Sequence, residues 1–471
     1  VTTPNLLAER YASDEMKSIW SPENLVRTER DFWLAVLKAQ KAAGLSVSES
    51  SISAYENQID QIDLESIRHR ELVTKHDVKA RIEEFNALAG QQLIHLGLTS
   101  RDVTENVEQI LIRESCQLVA KKSVALLARW AEFGMRYSKF PVVARTHNVP
   151  AQVTTLGKRF ATWGEELLYA YLRMQDVMAS YPLRGVTGAV GTGNDLEAVL
   201  GSKSNKYQTF QGEIRDHLHT DKFMSSTGQI YPRSLDFFVV STLSLVAAAP
   251  SSFATTIRLL AGDGLVSEGF GQGQVGSSAM PHKMNARSCE RINGLNVVLK
   301  GFLSMFTSLT GSQWYEGDVS CSVVRRIALP NSFYAIDGLL DTTIRVSDDL
   351  SIYEEAFSAE LASELPLLAS GQIMAAAVKA GVGREDAHWI IGEQARNLLA
   401  ARREGEPFSL AHALAKEARL GLSESAISEI IETTGDTLGQ SVDQVAEVVE
   451  AVAALIALNP SWAKYRPGKS V

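Results

Sequence analysis

Residues 102–133 read DVTENVEQILIRESCQLVAKKSVALLARWAEF, and this stretch decides the fold class. Val103, Val107, Ile110, Leu111, Leu118 and Val119 fall on one face of a helix, and the pattern continues for about thirty residues. Working outward, helical spacing also covers Pro22 to Ala43, Lys158 to Ala179, Ser234 to Leu260, Ala286 to Thr310 and Asn331 to Val346. Alternation of strand type is scarce. Several of these helices are apolar around most of their circumference, as in the centre of a bundle or an oligomer core. The spacing predicts an all-α protein.

The most apolar run, Phe237 to Ile257, has the length of a membrane span. It carries several Ser and Thr residues, is broken by Pro250 and is flanked by Asp236 and Arg258, so a buried core helix is expected. The first residues, Val1-Thr-Thr-Pro4, lack the basic start and apolar stretch of a signal peptide, and a soluble, cytoplasmic protein is expected. Boundaries are expected near residues 101 and 346. They leave a mixed helical part over 1–101, a bundle of long helices over 102–346 and shorter helices over 347–471.

A chain of 471 residues, 45% hydrophobic and 21% charged, can bury a large core, which excludes disorder as its main state. Lys plus Arg is 46 against 55 acids, a net charge of −9, which argues against a general nucleic-acid or acidic-membrane binder. Cys116, Cys289 and Cys321 are too few and too scattered for a disulfide framework or a zinc site. His217 and His219 stand two apart without further ligand spacing, so no metal site is expected.

Two glycine-rich stretches interrupt the helices, at 185–193 and 262–276. The second holds Gly271-Gln-Gly-Gln-Val-Gly276, formally a dinucleotide fingerprint, but the residues before it, Asp263 to Gly269, read as a loop and the chain shows no alternating βαβ plan. A mobile loop over the active site is expected instead. The stretch that follows, Gly276-Ser-Ser-Ala-Met-Pro-His-Lys-Met-Asn285, puts two hydroxyls beside a cation and an amide, with Glu290 and Arg291 just beyond. Such groups can hold a carboxylate or an enolate-like oxyanion, and a serine there can act as nucleophile, donor or base. Taken on chemistry alone, a polar loop capping the next helix fits equally well.

GSSAMPHKMN resembles the signature of the fumarase/aspartase superfamily, whose members eliminate fumarate from succinyl-type substrates. Three further segments are similar to its adenylosuccinate lyase branch: Thr74-Lys-His-Asp77, His95-Leu-Gly-Leu-Thr-Ser100 and Ala144-Arg-Thr-His-Asn-Val-Pro-Ala-Gln152. Ser226-Thr-Gly-Gln229 and the blocks from Leu365 to Gly381 also match, so the resemblance runs from Glu9 to about His388. Argininosuccinate lyase or carboxymuconate cycloisomerase would share the serine loop, but the KHD and RTH segments argue against both. A helical scaffold without turnover is opposed by the coexistence of His147, Ser278, Lys283 and Glu290.

The resemblance implies a three-part lyase fold, homotetrameric, with each active site shared between subunits. It implies a small nucleotide substrate and no metal or redox cofactor, because the substrate's own carboxylate delocalises the charge. By the same likeness His147 is the general acid, oriented by Glu290, and Ser278 the base, with Ser277 beside it as the alternative. Lys283 and Asn285 would stabilise the developing negative charge. Arg10, Lys75, Arg291 and Arg326 would meet the substrate's phosphate and carboxylates; Tyr11, His76, Asp77, His95, Thr99, Ser100, Gln229 and Ser322 would complete its contacts. Thr99 and Ser100 could equally be an N-cap, Lys75-His76-Asp77 a solvated helix face, and Arg325-Arg326 a solvated pair. Three positions depart from the branch: Met284 and Ala286 where arginine and proline are usual, Asn148 where glycine is common, and Gly317 where some members have arginine.

Overall fold

The computed structural model describes residues 5–201, 204–269, 280 and 283–468. Helix accounts for 71% of the described residues, and the described strands form two small two-stranded sheets, so the fold is all-α. Five long helices build the centre: Ser100–Arg136, Leu156–Ser180, Ser234–Gly262, Arg287–Leu309 and Cys321–Asp349. At 1.5 Å per residue the first is about 55 Å long. Each of the five packs on others of the set. Their shared core includes Leu126, Trp130, Phe160, Val246, Phe253, Leu299 and Leu339.

A second core joins the N-terminal helices to residues 186–214: Phe32, Trp33 and Phe85 pack with Val186, Leu196, Phe210 and Ile214. A third lies among the C-terminal helices, around Ile373, Ile390, Leu414 and Ile427. The Ser441–Leu458 helix then returns to the bundle, where Val452 and Leu455 join the central core. The three cysteines are buried and free.

Three sequence expectations need correction. The Ser100–Arg136 helix is not one-faced, because Asp102, Glu105, Asn106, Gln109 and Lys122 are as buried as its valines. These polar side chains meet other chain segments rather than water. The helix expected from Asn331 starts instead at Cys321 and runs through Pro330. The helix expected over Ser234 to Leu260 is present as Ser234–Gly262 and runs through Pro250. That proline withholds one donor from the Val246 carbonyl, but it is itself buried and tertiary packing holds the helix through it. Finally, Pro141–Thr146 and Val149–Thr155 pair as an antiparallel hairpin where no strand was expected.

Three described helical stretches, Ser234–Gly262, Arg287–Leu309 and Glu354–Lys379, are long and apolar enough to cross a membrane by length and composition. The first is the bundle helix expected to be core, and Val239, Leu243, Val246, Ala247 and Phe253 on it are buried.

Candidate active site

Three helices begin around one cleft of about 630 Å³: Asp77–Ala89, Ser100–Arg136 and Cys321–Asp349. Each brings free N–H groups and the positive end of its dipole, which favours anions. The cleft wall contains His76 and Asp77 from the first, Thr99 and Ser100 from the second, and Ser322 and Arg326 from the third. Gln229 completes the predicted residues found there.

Lys75-His76-Asp77 is a junction between helices and not a helix face. Lys75 ends the Leu64–Thr74 helix in the left-handed conformation (φ 55°), and His76 caps the next helix. His76 Nδ1 accepts the Lys79 N–H at 3.2 Å. The neutral ring therefore carries its proton on Nε2, which lies 3.4 Å from Ser100 Oγ. Asp77 Oδ2 accepts from Arg326 Nη2 at 3.0 Å and lies 3.5 Å from Arg81 Nη2. Burial pushes the Asp77 carboxyl up, but Arg81, the Val78 N–H, Arg326 and His76 together hold it below the usual range.

The start of the Ser100–Arg136 helix is set by a buried carboxylate. Thr99 is the N-cap, and its N–H donates to Asp102 Oδ2 at 2.8 Å. Asp102 Oδ1 accepts from Arg184 Nη1 at 2.5 Å and from the N–H groups of Thr187 and Gly188, each at 3.0 Å. Arg184 Nη2 in turn donates to the carbonyls of Gly188 and Gly228, at 2.8 and 3.0 Å. One buried ion pair thus fixes Thr99 and the backbone beside Gln229 together, and orders the first glycine-rich stretch.

Gln229 is clamped from its other side by the 314–317 turn, and its N–H donates to the Glu316 carbonyl at 2.6 Å. A Cβ on Gly228 would lie 2.0 Å from that oxygen, and one on Gly317 would lie 2.7 Å from Gln229 Cβ. Both positions need glycine for this close approach, which is the physical reason a side chain is missing at 317.

Arg325 and Arg326 are not a solvated pair. Arg325 is buried; its Nε donates to Asp236 Oδ2 at 2.7 Å, Nη1 to Glu108 Oε2 at 2.5 Å, and Nη2 to the Tyr231 hydroxyl. Burial opposes its charge, and Asp236, Glu108, Tyr231 and Glu105 more than offset that, pushing its pKa up. Arg326 has a side chain 70% exposed and held by Asp77, so it is the cation of the two able to turn to a ligand. Ser322 Oγ accepts from Arg101 Nη2 at 2.7 Å.

The other predicted residues lie outside this cleft wall. Arg291 stands 5.6 Å from the centre of the Tyr11 ring, and the exposed Arg10 precedes Tyr11 at the end of the Leu6–Arg10 helix. Lys283 and Glu290 are exposed and Asn285 half-buried, around the start of the Arg287–Leu309 helix. Buried Glu268 caps that helix, accepting the Ser288 and Cys289 N–H groups at 2.9 and 3.0 Å. It thereby ties together the chain on either side of the serine loop. Ser277, Ser278 and residues 270–276 of the loop expected over 262–276 lie outside the described residues; within the described part, Val266–Ser267 is no loop but pairs with Ser351–Ile352.

His147 and Asn148 form the two-residue turn of the hairpin, at φ 53° and 63°. Two positive φ values in succession mark a type I′ turn, in which asparagine is nearly as well suited as glycine; this accounts for Asn148. His147 is exposed, and among the described residues its ring makes no hydrogen bond. His95 is also left-handed, at φ 69°, and its Nδ1 accepts Trp33 Nε1–H at 3.1 Å. Burial drives its pKa down to about 4, so the ring is neutral with its proton on Nε2. His217, set aside as a ligand, contacts Asp31 Oδ2 at 3.1 Å.

Sequence reasoning missed Glu29, Arg81, Arg101 and Glu108, all of which line the cleft. Arg81 could have been found, since it stands one helical turn beyond Asp77, and Arg101 follows the Thr-Ser pair directly. Glu29 and Glu108 carry no local signal.

A family profile described as Lyase covers residues 9–301. The adenylosuccinate lyase of Saccharomyces cerevisiae is 36% identical over 392 residues, spanning 82% of this chain and 81% of its own. That of Schizosaccharomyces pombe is 32% identical, over 81% and 80%. The crystal structure of 3-carboxy-cis,cis-muconate lactonizing enzyme from Pseudomonas putida superposes with a TM-score of 0.82 at 20% identity. The match covers 96% of this chain and 99% of that one, a likeness of fold alone.

Proposed function

The chain belongs to the adenylosuccinate lyase family, and from that premise we propose that it eliminates fumarate from adenylosuccinate to give AMP. The same cleavage of the succinylated aminoimidazole carboxamide ribotide would serve purine biosynthesis. Ser278 takes the proton from the carbon beside a carboxylate, and the charge spreads into that carboxylate as an aci-form, met by Lys283 and Asn285. The C–N bond then breaks, the C=C bond of fumarate forms, and His147, oriented by Glu290, protonates the departing nitrogen.

The observation that carries this reading is the convergence of three helix N-termini on one cleft with His76, Thr99, Ser100, Gln229, Ser322 and Arg326. Cations and N–H groups gathered there suit a substrate bearing a phosphate and two carboxylates. The cleft would hold the substrate, while His147 and the serine loop come from other subunits of a homotetramer. Supporting that assembly, His147, Lys283 and Glu290 are exposed and absent from the cleft wall. Apolar side chains also stand exposed on the bundle, including Phe238, Leu245, Val297 and Met305. A soluble, cytoplasmic enzyme divided near residues 101 and 346 belongs to the same proposal.

The test is fumarate release from adenylosuccinate and from argininosuccinate, with lactone formation from 3-carboxy-cis,cis-muconate followed in parallel. Turnover of the first alone is expected, and turnover of either other substrate instead would overturn the assignment. Mixing inactive His147→Gln and Ser278→Ala proteins, then dissociating and reassembling them, should restore activity. No recovery after verified subunit exchange would place both groups in one chain.

A further inference from the structure

Glu29, on the Pro22–Ala42 helix, is 1% exposed and still forms part of the cleft wall. Arg81 Nε stands 2.5 Å from its Oε2, but out of line for a hydrogen bond, and among the described residues neither Glu29 oxygen has a hydrogen-bond donor. The same guanidinium reaches Asp77 through Nη2 at 3.5 Å, and Asp77 holds Arg326 at 3.0 Å. Arg81 is therefore shared between two carboxylates, and the second of them holds the exposed cation of the cleft.

We propose that Glu29 is a positioning residue, which competes with Asp77 for Arg81 and so governs how firmly Asp77 holds Arg326 away from an anionic substrate. The inference rests on the functional reading above. An ionised Glu29 draws Arg81 inward, leaving Asp77 to take its countercharge from Arg326. A neutral Glu29 yields Arg81 to Asp77, and Arg326 is released to an incoming phosphate or carboxylate.

The charges facing Glu29 come from three neighbouring helices. Asp77–Ala89 supplies Arg81 and Asp77, Ser100–Arg136 supplies Arg101 and Glu108, and Cys321–Asp349 supplies Arg325 and Arg326, with Glu71 and His76 on the same wall. On its own helix, Arg30 is turned to Glu84 at 2.5 Å. Burial dominates, and with Asp77 and Glu108 it outweighs Arg81, pushing the Glu29 carboxyl up to about 7. The acid changes charge near neutrality. By linkage, an anion that binds better when Glu29 is neutral binds more weakly as pH rises through that value.

The experiment measures KM for adenylosuccinate from about pH 6 to pH 8.5 in the wild type and in Glu29→Gln. Ionisation of the free substrate is common to both proteins, so the ratio of the two KM values reports on the enzyme. That ratio, wild type over variant, is expected to grow about fivefold or more across the range, with the pH dependence of kcat the same in both. A flat ratio in active enzyme overturns the inference alone. A wild type that releases no fumarate overturns the functional reading and the inference together. If Glu29→Gln does not fold, Asp77→Asn replaces it: it removes the carboxylate through which Glu29 acts and should lose the same component. A wild-type slope in Asp77→Asn overturns the inference.

Discussion

Replacing Asp102 by Asn removes a charge without changing volume, and the structure gives the consequence in detail. Both Asp102 and its partner Arg184 are fully buried. Oδ1 serves three donors and Oδ2 serves one. An amide keeps a single oxygen. Turned toward Arg184, Thr187 and Gly188, it sets its NH2 against the Thr99 N–H; turned the other way, it abandons three donors. In either orientation the Arg184 guanidinium is left buried without a countercharge. Breaking a buried pair in this way costs about 3–5 kcal/mol. Thr99 and the Gly228–Gln229 backbone lose their common anchor, so KM should rise as well. Equilibrium urea unfolding followed by the fluorescence of Trp33, Trp130 and Trp163 measures the first effect, and steady-state kinetics the second. The double variant Asp102→Asn/Arg184→Met should be more stable than the sum of the two single losses, since it buries no lone charge. Asp102→Asn within about 1 kcal/mol of wild type, or strict additivity in the cycle, would refute the reasoning.

Gly317→Arg should weaken substrate binding and not tighten it, because its Cβ would meet Gln229 Cβ at 2.7 Å; KM at low and high salt checks this. Asn148→Val should cost about 1–2 kcal/mol at φ 63° and depress kcat by disturbing the His147 turn, whereas Asn148→Gly should keep both near wild type in melting and turnover assays. His95, whose folded pKa lies near 4 against 6.5 unfolded, contributes stability that is complete above pH 6.5 and lost as pH falls toward 4. That contribution is about 3 kcal/mol, and urea midpoints from pH 7 to pH 4 should fall less steeply in His95→Gln.

The helices of the bundle and the family were legible in the chain because both are local. Spacing of apolar residues along 102–133 needs no partner to be read, and the serine loop, KHD and RTH segments are contiguous strings. Tertiary structure alone decided what long-range contact controls. The helix expected from Asn331 begins at Cys321, because packing carries it through Pro330. Arg325 and Arg326 are adjacent and chemically identical. One is buried by Asp236 and Glu108 and the other left for a ligand, because successive helical residues point in different directions. Likewise, no string of letters joins Glu29 to Arg81 or Asp102 to Arg184. A buried charge is held by whichever partner the fold brings within a few ångströms, and that distance is a property of packed helices and not of sequence separation.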